Sequence, residues 1–385
     1  MSEVNPSSGA EPAPPPFSWA SSHVAAIAGQ ATPAAPVIGP SDFQRVSPDL
    51  DVWDAWPLQH ADGMPVMLAE DRSVWFALGA PPFPDPYVRH GHARIHLLHR
   101  AGARWTDLGP AMPEGFSPGS REWSGSAVLE RDGRTVTLYF TATGRRGETA
   151  PTFEQRIFSA SCVLDLAGPH PRLTEWGKLE EAVLREPAHY MPSDSGRAAV
   201  GAIKAFRDPA FFQDPADGAA YLVFAGSAAD AASEFNGVIG MARADAAAPG
   251  GWRTLPPLVS ANGLNNELER PHAIVHGGAY YLFWSTQSHV FDPSRAVGPT
   301  GLYGVVGSSI LGPWRPLNGT GLVFANPPEA PRQAYSWLVL PDLSVTSFVD
   351  DWGAAHDREA PRRFGATFAP WLRLMVSGDR AGLAG

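Results

Sequence analysis

Five times along this chain a short polar or aromatic motif opens an apolar strand, a tight turn follows, and a second apolar strand returns. The first copy runs from Trp53-Asp-Ala-Trp56 through Asp62-Gly63 and residues 64–68 to Ser73-Val-Trp-Phe-Ala-Leu78. The second opens at Trp123-Ser-Gly-Ser-Ala-Val-Leu129, turns at Asp132-Gly133 and returns as Thr135-Val-Thr-Leu-Tyr-Phe-Thr141. The third opens at Arg207-Asp-Pro-Ala-Phe-Phe212, turns at Asp217-Gly218 and returns as Ala220-Tyr-Leu-Val-Phe-Ala225. The fourth opens at Glu269-Arg-Pro-His-Ala-Ile-Val275, turns at Gly277-Gly278 and returns as Tyr280-Tyr-Leu-Phe-Trp-Ser285. The fifth opens at Tyr335-Ser-Trp-Leu-Val-Leu340, turns near Pro341-Asp342 and returns as Ser344-Val-Thr-Ser-Phe-Val349. Asp-Gly and Gly-Gly between apolar runs mark hairpins, because the turns that match the twist of paired strands need positive φ.

The openings recur at intervals of roughly 60–85 residues, each with room for a four-stranded unit and its loops. Such units bury their faces only by stacking, and radial stacking closes the ring and leaves few edges. The pattern therefore predicts an all-β fold, a five-bladed β-propeller with a central-channel active site. Thirty-nine glycines and 39 prolines suit many short strands, and 44% hydrophobic content supplies a large core. A short N-terminal helical segment is expected from Phe17 to Ala28, with Trp19, His23, Ala26 and Ile27 on one face. Residues 17–385 are read as a single catalytic domain, and residues 1–16 as a disordered Pro/Ser/Ala-rich leader.

The net charge of −10, with Lys and Arg scattered, argues against nucleic acid or an anionic membrane as partner and suits a neutral substrate. The single cysteine, Cys162, allows no internal disulfide and no thiolate cluster for zinc; its apolar surroundings predict a buried thiol. No stretch approaches the ~20 apolar residues needed to span a bilayer. No basic and apolar secretory signal stands at the N-terminus. The expectation is a cytoplasmic protein, or one exported by a non-standard route.

In a propeller the innermost strands line the channel, so their opening residues can meet. Here that brings together Asp54, Trp123, Ser124, Arg207, Asp208, Glu267, Glu269, Arg270 and Tyr335. Asp54 sits between two tryptophans, and a sugar ring needs both a carboxylate for its hydroxyls and a flat apolar face for its C–H side. Carboxylates from three blades, flanked by arginines and aromatics, suggest glycoside chemistry: one as nucleophile, one as acid/base, one on the sugar hydroxyls. Singly, each motif has a plainer reading. The tryptophans could be core with Asp54 capping a turn, Arg207-Asp208-Pro209 a turn with a local ion pair, and Glu267-Leu-Glu269-Arg270 a solvated strand edge. Their joint recurrence at strand openings favours the site.

Trp53-Asp-Ala-Trp-Pro-Leu-Gln59, Glu122-Trp-Ser-Gly-Ser-Ala127, Phe206-Arg-Asp-Pro209, Asn266-Glu-Leu-Glu-Arg-Pro271, Leu302-Tyr-Gly304 and Gln333-Ala-Tyr-Ser-Trp337 stand in an order that resembles glycoside hydrolase family 68, the levansucrases, inulosucrases and related β-fructofuranosidases. The resemblance runs from about Phe17 to Phe364. It implies a bacterial enzyme with a five-bladed propeller and a double displacement on sucrose. Asp54 would be the nucleophile, Asp208 the transition-state stabiliser and Glu269 the acid/base, with Trp53, Trp123, Ser124, Arg207, Glu267, Arg270 and Tyr335 binding substrate. It implies sucrose and sugar acceptors as partners and no cofactor. Many members carry Asp where this chain has Asn266, and there it helps bind a structural calcium; a neutral amide is a weaker ligand, so no metal is expected here.

Polymer-forming members usually carry Arg or His at the place matching Gln287, near the acceptor subsite. Gln287 offers only neutral amide bonds, which predicts transfer mainly to water and short sugars. An alignment gapped by two residues would put His289 there instead and restore a levansucrase-like site; the ungapped one also places Phe291 where the family tends to have an aromatic. The alternatives to this hydrolytic reading are a polymerising levansucrase, a carbohydrate-binding propeller without catalysis, and a related propeller glycosidase acting on arabinose polymers. The three carboxylates argue against the second, and the Trp-Asp-Ala-Trp-Pro and Trp-Ser-Gly-Ser motifs against the third.

Overall fold

The structure is a computed structural model that describes residues 16–195, 203–353 and 363–384; the leader expected at 1–16 lies, but for Pro16, outside the described residues. Five innermost strands, Asp51–Gln59, Arg121–Leu129, Phe206–Gln213, Glu269–His276 and Ala334–Val339, each pair antiparallel with the strand that returns from the hairpin. These returning strands are Arg72–Ala80, Thr135–Thr143, Ala220–Ser227, Ala279–Thr286 and Ser344–Asp351, and further strands complete each blade outward. Blades I and II share one nine-stranded sheet, because their innermost strands touch in parallel at Leu58–Ala127 and Gln59–Val128. Both faces of each innermost strand are covered by neighbouring blades, so most of their residues are buried, polar ones such as Glu122, Ser126 and His272 included.

After the bridge Gln59–Pro65, Met67–Ala69 forms a short flap on the returning strand. One local expectation is corrected. The segment from Phe17 to Ala28 is not one helix. Phe17–Ser18 adds a parallel edge strand to blade III, opposite Val259 and Ser260, and only Ser21–Ala25 is α-helical before a 3₁₀ turn at Ala26–Gly29. The reason is tertiary. Trp19 is buried among Trp284, Phe291 and Tyr303 of blade IV, and its indole N–H donates to the Thr320 carbonyl at 3.0 Å. That anchor holds the chain extended where propensity alone would allow a helix. Cys162 is buried, as expected, and burial pushes its thiol up to about 12.

One device recurs in every blade. Each innermost strand carries one residue more than its returning strand, starting at Asp54, Ser124, Asp208, Arg270 and Ser336 in turn: Asp54-Ala55, Asp208-Pro209, Arg270-Pro271 and Ser336-Trp337 each face a single residue, and Ser124 faces none. These are β-bulges, and four of the five residues sit at left-handed φ: Asp54 at 49°, Asp208 at 60°, Arg270 at 47° and Ser336 at 62°. Non-glycine residues at such angles cost about 1–3 kcal/mol each and survive where packing imposes them. A bulge re-aims one side chain out of the alternating pattern. In this ring it does so at the same depth in five strands.

Candidate active site

The bulges place four carboxylates and two arginines around one end of the channel. Ser124 Oγ donates to Asp54 Oδ2 at 2.8 Å, which fixes the Asp54 carboxylate across the I–II junction. Arg207 Nη2 donates to Glu269 Oε1 at 2.8 Å and lies 3.9 Å from Glu267 Oε1, while its Nε is 3.7 Å from Asp208 Oδ2. The Tyr335 hydroxyl donates to the other oxygen of Glu269. Glu269 thus has one partner from blade III and one from blade V. The Arg270 backbone N–H donates to Asp208 Oδ2 at 3.3 Å.

The Arg270 guanidinium has a different place from that of a group turned toward substrate. It spans the channel, donating to the Ala55 carbonyl at 2.7 Å and to Ser336 Oγ at 3.2 Å, and so ties blade IV to blades I and V. Trp53 and Trp123 are largely buried. The 3₁₀ turn Pro86–Gly91 reaches over them: the His90 ring lies 5.8 Å from Trp53, the His90 carbonyl accepts from the Trp123 indole at 3.3 Å, and the Arg89 guanidinium lies 5.1 Å from the Trp53 ring. Gln287 follows the returning strand of blade IV at the mouth, half-buried, and its side chain makes no hydrogen bond among the described residues; His289, two residues on, is exposed. The structure therefore gathers ten of the sequence-selected residues around one opening and leaves Gln287 on its rim.

Burial sorts the carboxylates. The Asp208 and Glu267 side chains are each 7% exposed, Glu269 is 21% exposed and Asp54 is half-buried. Burial pushes Asp208 up to about 7 against the pull of Arg207, helped by the negative charges of Glu269 and Asp54. Burial also raises Glu267, and Glu269 beside it adds to the rise. For Arg207 burial favours the neutral form, but Glu269, Glu267 and Asp208 more than offset it and hold the guanidinium charged. Burial and neighbouring negative charge thus lift two of the four carboxylates, Asp208 and Glu267, above the usual carboxylate range.

Several residues that build this site were not singled out from the sequence. Thr141 Oγ1 accepts from the Asp208 N–H at 2.9 Å and donates to the Ser124 carbonyl at 3.1 Å. Ser285 Oγ accepts from the Trp337 N–H at 3.0 Å, and Ser227 Oγ from the Ala205 N–H at 2.9 Å. Each hydroxyl closes a returning strand, so a Ser or Thr at that strand end was a usable signal. Gln155 Oε1 holds the Phe206 N–H at 3.1 Å, and Arg207 Nη1 lies 3.5 Å away; nothing local in the sequence marks it.

A closed ring of five blades, with bulges presenting a half-buried carboxylate, a partly exposed glutamate and an arginine between carboxylates, defines a propeller enzyme of the glycosidase class. The family profile described as Levansucrase/Invertase matches residues 13–238 and 229–384, and the chain belongs to that family, glycoside hydrolase family 68. Levansucrase LscA of Pseudomonas savastanoi pv. glycinea is 35% identical over 391 residues, covering 91% of this chain and 89% of that protein. The inulosucrase from Halalkalicoccus jeotgali bound to kestose superposes with a TM-score of 0.86 at 35% identity, covering 96% of this chain and 95% of that one. The levansucrase from Gluconacetobacter diazotrophicus, 24% identical, shares the fold with a TM-score of 0.83 over 98% of this chain and 91% of its own.

Proposed function

We propose that this chain moves the fructosyl group of sucrose, with retention, mainly to water and short sugar acceptors. The observation that carries the reading is the pairing of Asp54, oriented by Ser124, with Glu269, held between Arg207 and Tyr335 at the channel mouth. Asp54 attacks the anomeric carbon of the fructosyl unit. A carboxylate C–O bond forms, the glycosidic C–O bond breaks, and its electron pair stays on the glucosyl oxygen, which takes a proton from Glu269. Water or a sugar hydroxyl then gives its proton to Glu269 and displaces Asp54, so two inversions leave the configuration unchanged.

Asp208, deepest of the three, accepts from fructosyl hydroxyls and faces the positive charge that develops on the ring. Arg207, 2.8 Å from Glu269 and 3.9 Å from Glu267, holds the acid/base in place beneath the scissile bond. Trp53 and Trp123 supply the apolar walls.

The preference for short products rests on Gln287. A cationic or imidazole side chain there would hold acceptor hydroxyls by charge-assisted bonds, roughly twice as strong as neutral ones. A loss of about 1 kcal/mol lowers acceptor occupancy about five-fold, and water competes better. A second reading, levan synthesis, is supported by His289, exposed on the same turn, and by the levansucrases among the relatives. Incubation with sucrose and resolution of glucose, fructose, short fructosides and polymer separates them. The expected products are glucose, fructose and short fructosides, with Gln287→His lengthening them; abundant high-molecular-weight levan from the unaltered chain contradicts the preference.

A further inference from the structure

Lys204 is 7% exposed, and its ammonium donates to Asn236 Oδ1 at 2.9 Å, to Asn266 Oδ1 at 2.7 Å and to the Glu234 carbonyl. Three acceptors meet three N–H bonds, and all three are neutral oxygens. They come from two loops: residues 234–236, which lead into the third strand of blade III, and residues 265–267, which lead into the innermost strand of blade IV. Lys204 itself stands two residues before the innermost strand of blade III.

The junction is tight. The Gly237 N–H donates to the Asn265 carbonyl at 2.8 Å, and a Cβ on Gly237 would lie 2.8 Å from the Asn266 carbonyl. Both amides are oriented from behind: Asn236 Nδ2 donates to the Ala228 carbonyl at 2.9 Å and Asn266 Nδ2 to the Ile203 carbonyl at 3.3 Å. Their oxygens are thereby turned on the ammonium. Calcium takes six to eight oxygens, usually with carboxylates among them. The oxygens gathered here are amides and a carbonyl, and a cation from the chain already occupies their focus, so a calcium ion of the kind many members of the family bind does not fit.

We propose that Lys204 is a resident cation, a positioning residue that clamps the two loops and so sets Arg207 against Glu267 and Glu269. The connection runs both ways. The Lys204 carbonyl accepts from Gln155 Nε2 at 2.9 Å, and Gln155 holds Phe206, the neighbour of Arg207. On the other side Asn266 adjoins Glu267, whose N–H is held by Asn265 Oδ1 at 2.8 Å. Removing the ammonium leaves inward-turned oxygens facing one another, and the arginine and glutamates lose their common reference.

The test uses the full chain and Lys204→Met. Melting temperature is followed with EDTA and with calcium chloride, and kcat and KM for sucrose are measured well below the melting point of the variant. In the unaltered chain neither reagent should move the melting temperature by more than about 1 °C. In Lys204→Met, kcat should fall about ten- to a hundred-fold, the scale of a displaced catalytic group, which a lysine serving stability alone would not cause. Calcium stabilising the unaltered chain by several degrees, or a folded Lys204→Met with unchanged kcat, overturns the proposal. Should the variant not fold, the metal titration of the unaltered chain still decides. The thermal readout is independent of the sucrose reading on which the kinetic one rests, so the two can fail separately.

Discussion

Asp208 carries both an adverse angle and an adverse burial. Its carboxyl is pushed from 3.8 to about 7, so the folded state binds a proton that the unfolded state has released. Stability from this group is therefore greatest below about pH 4 and is lost as pH rises through about 7. Asp208→Asn removes the ionisation, and asparagine tolerates φ near 60° well. The variant should melt higher than the parent at pH 8, converge with it below about pH 4, and lose sucrose turnover. A variant melting advantage that does not change with pH would mean that the Asp208 carboxyl is not the strained group. The carboxylates that the structure gathers at the mouth were legible in the sequence because each stands in a short motif at a strand opening. Gln155 and Lys204 were not, because the partners that tie them to the site lie 30 to 62 residues away in the chain and no local pattern announces them. The bracing position of the Arg270 guanidinium was hidden for the same reason: Ala55 is 215 residues distant.

At the scale of the element, the bulge is what turns a buried strand into part of a site. Blade II makes its bulge without a left-handed residue at Ser124, and its neighbour Gly125 accounts for the packing: a Cβ there would lie 1.9 Å from the Tyr139 carbonyl oxygen. Gly125→Ala must push the two strands apart, at a cost of about 1–3 kcal/mol. It should also weaken sucrose turnover more than the stability loss explains, since Ser124 orients Asp54. Denaturant unfolding together with kcat at a permissive temperature checks both, and a stable, fully active variant would remove the bulge from the account. The hairpins were legible because turn chemistry and apolar runs are local. The bulges were not, since register is settled only when two strands meet. The N-terminal segment was misread for a related reason: the demand on Trp19 comes from blade IV, far along the chain.

For the whole molecule, the five-fold pattern of openings and turns was sufficient to give the ring, and the ring brings distant openings to one mouth. Among the described residues no strand is shared between the last blade and the first. Leu340 and Phe368 of blade V pack with Leu50, Val52 and Trp75 at blade I, and Thr367 Oγ1 donates to the Gln44 carbonyl at 2.7 Å. Arg270 closes the same seam from inside the channel. The central claim is that this assembled mouth makes Asp54 a nucleophile toward a fructosyl unit. It is tested most directly by mixing the enzyme with saturating sucrose, quenching rapidly in acid, and measuring intact and peptide masses. An added fructosyl unit is expected on the peptide that contains Asp54 and not in Asp54→Asn, which should also release glucose slower by orders of magnitude. A label mapped to another residue, or glucose release by folded Asp54→Asn at the parental rate, would contradict it.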